Sequence, residues 1–434
     1  MNFLIQLLAL LIVIVAIGVL VVVPWPVLAA LVLVFAAWMG LTRSGRQAWS
    51  VTRVGLATIP QRLGASSVVV VGIAGVVGVL VALLAMGEGF RQTLQQTGDA
   101  ETVIVLRGGA TAELSSGVSR EDAVLIEQQA GILKDADGKP IASPELVVVA
   151  NIPKKGTGTD ANVEIRGVGR QAFALRPNVK IVEGRAFEPG LRELIVGKGA
   201  LAQFVGLAPG STLNLANQQW TVTGVFESGD AHESEVWGDV ETVSTTYRRN
   251  GYQSVSVRLT SADAIDAFKA GLASDPRLKV DAKTTSDYYS AQSESLTKAI
   301  RVIGIVIGVI MAIGAVFGAL NTMYAAVATR AREIATLRAI GFRGASVIVS
   351  ILLETMLLAL AGGVLGAAIA WLIFNNYTVS TLGANFSQVV FSFKVSPALV
   401  WNGLKWALAI GFVGGLYPAL RAARLPVTTA LRES

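Results

Sequence analysis

Asn321-Thr-Met-Tyr-Ala-Ala-Val-Ala-Thr-Arg330-Ala-Arg-Glu-Ile-Ala-Thr-Leu-Arg-Ala-Ile-Gly341 joins two apolar runs, 302–327 and 345–374. Each run is long enough to cross a bilayer, because a spanning helix needs roughly 20 apolar residues. The charged stretch between them must therefore turn around at one membrane face. It carries Arg330, Arg332, Arg338 and, just beyond, Arg343, against the single acid Glu333. An excess of arginine in a short loop places it in the cytoplasm. Gly341 is a helix stop, since glycine accepts the left-handed backbone of a C-cap. Residues 328–343 thus read as a short cytoplasmic helix between two spans. Ile334, Leu337 and Ile340 give it an apolar stripe, interrupted by Glu333 in the same sector. The stripe fits either a re-entry turn resting on lipid headgroups or a helix that docks into a groove on a cytoplasmic partner.

Composition agrees with a membrane protein. Of 434 residues, 53% are hydrophobic and only 15% charged, where a soluble domain carries about 25% charged residues. Mean hydropathy is +0.58. The net charge of +6 comes from basic residues crowded into short loops beside apolar runs. It reports topology rather than nucleic-acid binding. With no cysteine, thiol chemistry is excluded, and a single histidine points away from a histidine-based metal cluster or catalytic triad.

Working outward, residues 1–41 form an apolar stretch broken at Pro24-Trp25-Pro26. Proline disrupts helix interiors, so this is a hairpin of two short spans near 4–22 and 27–41, with a re-entrant pair as the rival. Residues 42–64 hold Arg43, Arg46, Arg53 and Arg62 with no acid. They form a cytoplasmic segment, either an amphipathic helix on the membrane surface exposing Trp49 or a plain positive anchor. The next spans are 65–86, 299–327, 344–374 and 398–420. A polar outer loop, 375–397, and a basic tail, 421–434, complete the chain. Lys405, between Trp401 and Trp406, is placed to snorkel outward. Basic segments fall on one side and 87–298 on the other, so the topology closes.

Residues 87–298 differ in kind. Charges are frequent, and short β-branched runs at 102–106, 146–150, 163–166, 194–196, 220–226 and 254–259 alternate with helical patterns. This is an α+β domain inserted between two spans, outside the cytoplasm. The fold class is therefore a membrane α-helical bundle of four core transmembrane helices plus an N-terminal hydrophobic hairpin, with an inserted extracytoplasmic α+β domain. His232, among several acids, reads as part of a solvated turn, with a metal or pH-sensing role as the sharper option. Tyr288 and Tyr289 read as packing or interfacial residues.

Two features of the spans invite function. Gly304 and Gly308, then Gly314 and Gly318, are small-xxx-small pairs that let helices approach closely in lipid. They mark a dimer face or packing within one subunit. Glu354 is the one acid of the third core span. A carboxylate in lipid is costly, and its place near the charged helix favours a structural arginine partner over a proton relay.

Asn321-Thr-Met323, Arg330-Ala-Arg-Glu-Ile334 and Leu337-Arg-Ala-Ile-Gly341 resemble the signature of the FtsX-like permease family, which includes MacB-type exporters and lipoprotein-release permeases. Glu183-Gly-Arg-Ala-Phe187, Leu194-Ile-Val-Gly197, Leu207-Ala-Pro-Gly210 and Thr223-Gly-Val-Phe226 resemble that family's outer domain. The likeness covers about residues 50–434 and leaves the N-terminal hairpin outside the family's usual four spans. It implies a multi-pass protein of the bacterial inner membrane, the type VII membrane subunit of an ABC transporter. The coupling helix would present Arg330, Arg332, Glu333, Ile334, Leu337, Arg338, Ile340 and Gly341 to a cytoplasmic ABC ATPase. ATP and Mg would be bound by that partner, with no catalytic residue, metal or cofactor here. A homodimer, a periplasmic adaptor or effector protein, and membrane lipids are the other implied partners. The function implied is export or extraction of a substrate by mechanotransmission; the alternative is a regulatory scaffold that controls a periplasmic or cell-wall enzyme. The chain offers no phosphate loop of its own. Gly138-Lys139 runs into Pro140, and Gly197-Lys198 into Gly199 with Arg192 where the first glycine belongs.

Overall fold

A computed structural model describes Val15 and residues 17–424 apart from 384 and 386. Most of the expected first span, and the tail beyond residue 424, lie outside the described residues. The chain divides into two compact units: residues 1–87, 299–376 and 394–434, and residues 88–298 with 377–393.

The first unit is helical. Helix α1 (Trp25–Leu41) begins at the Pro-Trp-Pro break, where Pro26 occupies the first turn. A bend of 96° at Thr42 leads into α2 (Arg43–Ala57). The Thr42 hydroxyl caps α2 by accepting from the Gly45 amide. The long helices are α3 (Leu63–Thr97), α4 (Thr285–Thr329), α6 (Gly344–Phe374) and α7 (Pro397–Arg424), with the short α5 (Ala331–Ala339) between α4 and α6. Among the described residues four helices are long and apolar enough to cross a membrane, as expected, and the bent pair α1–α2 is a fifth candidate. Two of the four run further than the apolar pattern: α3 continues to Thr97, and α4 takes in the helical pattern before residue 299 as one helix of 45 residues.

Apolar lipid offers no hydrophobic drive between helices, so close backbone approach matters. It is made on α6 and α7. A Cβ at Gly366 would stand 2.3 Å from the Ala74 carbonyl oxygen of α3, and one at Gly415 would stand 2.2 Å from the Thr355 hydroxyl of α6. On α4, Gly304 and Gly308 lie against Leu83 and Leu80 of α3, whereas Gly314 and Gly318 have nothing within 4 Å. The first glycine pair thus packs inside the chain, and only the second leaves an open stretch.

The second unit is built on a ten-stranded sheet with the order β10-β1-β9-β2-β3-β8-β5-β7-β4, and β6 paired to β7. The six strands expected from sequence are β1 (Thr102–Arg107), β2 (Ala142–Pro153), β3 (Asp160–Val168), β5 (Glu193–Gly197), β7 (Gln218–Glu227) and β9 (Ser254–Arg258). The short strands β4 (Lys180–Gly184), β6 (Thr212–Leu215), β8 (Val236–Asp239) and β10 (Val280–Thr284) complete it. Val103, Val163, Leu194, Trp220, Val255 and Phe268 form its buried core.

The expected outer loop is a β-hairpin, β11 (Thr378–Leu382) and β12 (Gln388–Ser392), and it belongs to this unit. The Ser387 hydroxyl and the Asn385 amide donate to Glu164 of β3 at 2.9 and 3.2 Å, and Val390 N–H donates to the Ser234 hydroxyl at 2.8 Å. The expected solvated turn at His232 is also corrected. His232 is only 3% exposed, and the Asp230 carboxylate caps its turn, accepting from the His232 amide at 3.0 Å and from Nδ1 at 3.1 Å. Trp237 and Tyr289 press their rings edge-on against the imidazole.

Candidate functional site

Helix α5 follows α4 almost at once in the chain. One residue, Arg330, separates them, with φ −107° and ψ 10°. At its other end the Gly341 amide bonds back to the Arg338 carbonyl and the Phe342 amide to the Leu337 carbonyl, at 3.2 and 3.1 Å. Gly341 adopts φ +104°. This is the double-bonded glycine stop that lets a chain leave a helix at once.

The inner face of α5 is spent on its own bundle. Ile334 is buried with Val327, Val347, Ile351, Ala419 and Ala422, a contact that stabilises the helix seat by about 2 kcal/mol. Arg330 turns inward as well. Its Nη1 lies 3.2 Å from Glu354 Oε2 on α6, and its Nε 3.2 Å from Glu333 Oε2. Arg62, in the short turn after α2, reaches the other oxygen of Glu354 at 2.7 Å and also the Thr58 hydroxyl at 3.1 Å. Gly55 makes room for the pair, since a Cβ there would come within 3.3 Å of Glu354 Oε2. The intramembrane acid is therefore bound between two arginines from different elements. Removing one partner of a buried ion pair costs about 3–5 kcal/mol, so this cluster clamps α5, α6 and the α2 turn together.

The remaining residues of α5 divide by exposure. Arg332, Glu333 and Ile340 are exposed, Ile340 at 68%, while Leu337 and Arg338 are half-buried. The expected stripe is thus not one surface: Ile334 and Arg330 hold the helix in place, and Arg332, Glu333 and Ile340 are what it shows to solvent. Near the end of α7, Arg421 sits over the Tyr324 ring at 5.4 Å, which adds a cation–π contact at the same arginine-rich end.

Residues 66–274 match the family model of the MacB-like periplasmic core domain, and residues 305–427 that of the FtsX-like permease C-terminal. The chain belongs with the FtsX-like, MacB-type permeases. The second match contains α5, Arg330 and Glu354, whereas the third member of the clamp, Arg62, lies just ahead of the first match. Among curated relatives, the macrolide export ATP-binding/permease protein MacB of Burkholderia pseudomallei is 26% identical over 390 residues, which is 84% of this chain and 56% of that protein. The Escherichia coli protein of the same name is 27% identical over 390 residues, 84% and 57% of the two chains. This permease spans little more than half the length of those relatives. The periplasmic region of MacB from Actinobacillus actinomycetemcomitans covers 46% of this chain at 16% identity and a TM-score of 0.34.

The outer domain of this MacB-type permease holds a second polar cluster that the sequence reading missed. Arg166 on β3 is 2% exposed and contacts four carboxylates: Glu113, Glu145, Glu164 and Glu235, at 2.7 to 3.0 Å. Arg176 adds a second cation at 2.6 Å from Glu145. Burial pushes the Glu145 carboxyl up, but the Arg176 and Arg166 guanidinium groups outweigh it and hold it down at about 2. Burial and the facing Glu235 push Glu164 up to about 7. The only trace in the sequence is Glu164-Ile-Arg166, two charges on one face of a strand, which spacing alone cannot tell from a solvated face. Among the described residues no group of three or more His, Cys, Asp or Glu is arranged to hold a metal ion.

Proposed function

We propose that this permease is the membrane subunit of an ABC transporter, driven by an ATP-binding cassette supplied from outside these 434 residues. The observation that carries the reading is the seating of α5: a short helix clamped by Glu354, Arg62 and Arg330 into the spans, yet exposing Arg332, Glu333 and Ile340. A cassette gripping that face would move α5, and the clamp would pass the motion to α6 and the α2 turn without slack. Both helices that flank the inserted domain, α3 and α4, continue unbroken from their apolar stretches into residues of the domain. That continuity suits mechanotransmission, in which motion of the outer domain does the work of export or extraction. In this reading the arginine-rich end lies in the bacterial cytoplasm, and the exposed stretch of α4 around Ile310, Gly314, Phe317 and Gly318 meets a second copy.

The test is co-purification. The double variant Arg332→Glu with Ile340→Asp, expressed in its native membrane, is expected to lose at least tenfold of the ATPase recovered with the wild-type chain, with insertion unchanged. ATPase recovery identical to wild type, by quantitative mass spectrometry, would overturn the coupling role of α5. A complex whose ATPase responds only to a protein effector would instead indicate the regulatory scaffold.

A further inference from the structure

Between α1, α6 and α7 lies an apolar cavity of about 310 Å³ with a single charged group, Lys405. Its lining runs in order along the helices. On α1 it takes Trp25, Leu28 and Val32 in turn, and on α7 Trp401, Lys405, Leu408 and Phe412, with Lys405 bonded to the Val21 carbonyl just before the Pro-Trp-Pro break. Along both α1 and α7 this order leads away from the Pro24-Trp25-Pro26 break and toward the arginine-rich ends at Arg43 and Arg421. The cavity is therefore polar at one end and apolar down its shaft, and tryptophan marks the polar end as the level of a membrane interface.

Lys405 was expected to snorkel outward. It instead donates to the Val21 carbonyl at 2.7 Å and is half-buried. An ammonium has three N–H donors, and a backbone carbonyl brings no countercharge. Among the described residues no carboxylate lines the cavity. A cation within an apolar lining is costly unless an anion joins it.

We infer that this cavity is a binding site for an anionic phospholipid of the surrounding bilayer, with the headgroup phosphate on Lys405 and one acyl chain along the Leu28–Phe412 shaft. The bilayer supplies the ligand, and the two tryptophans bracket its polar end. The site also gives a role to the N-terminal helices, which supply Leu20, Trp25, Leu28 and Val32 to the lining. It does not depend on the coupling role of α5.

The full chain in detergent micelles, given equal amounts of phosphatidylglycerol and phosphatidylcholine with identical acyl chains, is to be examined by native mass spectrometry. We expect one phospholipid per chain, with the anionic lipid retained about tenfold over the zwitterionic one, because both present a phosphate to Lys405 but only phosphatidylcholine also brings a cation that repels it. Lys405→Met should bring the two within twofold, Lys405→Arg should restore the preference, and Leu28→Trp should lower retention of both by filling the shaft. Equal retention of the two lipids by the wild-type chain, or a preference that survives Lys405→Met, would overturn the proposal.

Discussion

At the scale of single residues, Glu164 carries the sharpest expectation. It faces Arg166 on its own strand, Glu113 and Glu235 from neighbouring segments, Tyr288 from α4, and the Ser387 and Asn385 donors of the hairpin. Its folded-state carboxyl titrates at about 7, above the unfolded value near 4.5. The folded form therefore prefers the proton. The stabilising contribution of neutral Glu164 is complete below about pH 4.5 and is lost as pH rises through 7. Glu145 has the opposite sign: held at about 2, it stabilises above the ordinary carboxylate range and loses that effect only in strong acid. Between pH 5 and 8 the Glu164 effect is the one that moves. Hydrogen exchange of β3, the strand that carries it, in the full chain should show weaker protection at pH 8 than at pH 5.5. Glu164→Gln should flatten that difference. A profile unchanged by the substitution would show that ionisation of Glu164 is not what loosens the sheet. Little of this was legible beforehand, because Glu113, Glu145 and Glu235 meet Arg166 only through the tertiary fold, and Glu164, two residues away on β3, is the one local contact.

At the scale of elements, the helices were legible and their contacts were not. Hydropathy runs located the four membrane helices, since twenty apolar residues have few other fates. The small-xxx-small rule then drew attention to α4, yet the closest approaches are made by α6 and α7. A glycine pattern shows where two backbones can meet without saying which helix arrives. Gly366→Val is expected to destabilise the bundle, because its side chain would overlap the Ala74 backbone, which cannot step aside. Gly318→Val should leave packing within one chain unchanged, because a Cβ there meets nothing within 4 Å. A fall of several degrees in the unfolding midpoint of the Gly366 variant, with none for Gly318, is the expected readout in detergent that separates the proposed second copy. Equal effects there would mean that α4 closes on a partner inside the same chain. The exposed part of α5 was similarly over-read: period-three spacing put Ile334 with Ile340, whereas the roll of the helix on its bundle buries one and frees the other.

For the whole molecule, sidedness decides the function. The chain has no native cysteine, so single cysteines report cleanly. Thr336→Cys on α5 should react with an impermeant maleimide only after the membrane is opened, and Thr212→Cys on β6 should react in intact cells. Labelling of Thr336→Cys from outside would put the arginine-rich turn on the wrong face for any cytoplasmic motor. Sequence alone determined that this protein is membrane-embedded, where its helices fall, that a sheet-rich domain is inserted, and that α5 ends at Gly341. Those features follow from composition, periodicity and local backbone preference, which act over a few neighbouring residues. Only the tertiary structure decided that Glu354 is shared by Arg62 and Arg330, that the loop after α6 is a hairpin of the outer domain, that His232 is buried, and that Lys405 faces an apolar cavity. Each of those joins residues tens to hundreds of positions apart, and such a meeting is set by packing and burial, for which a linear pattern carries no signal.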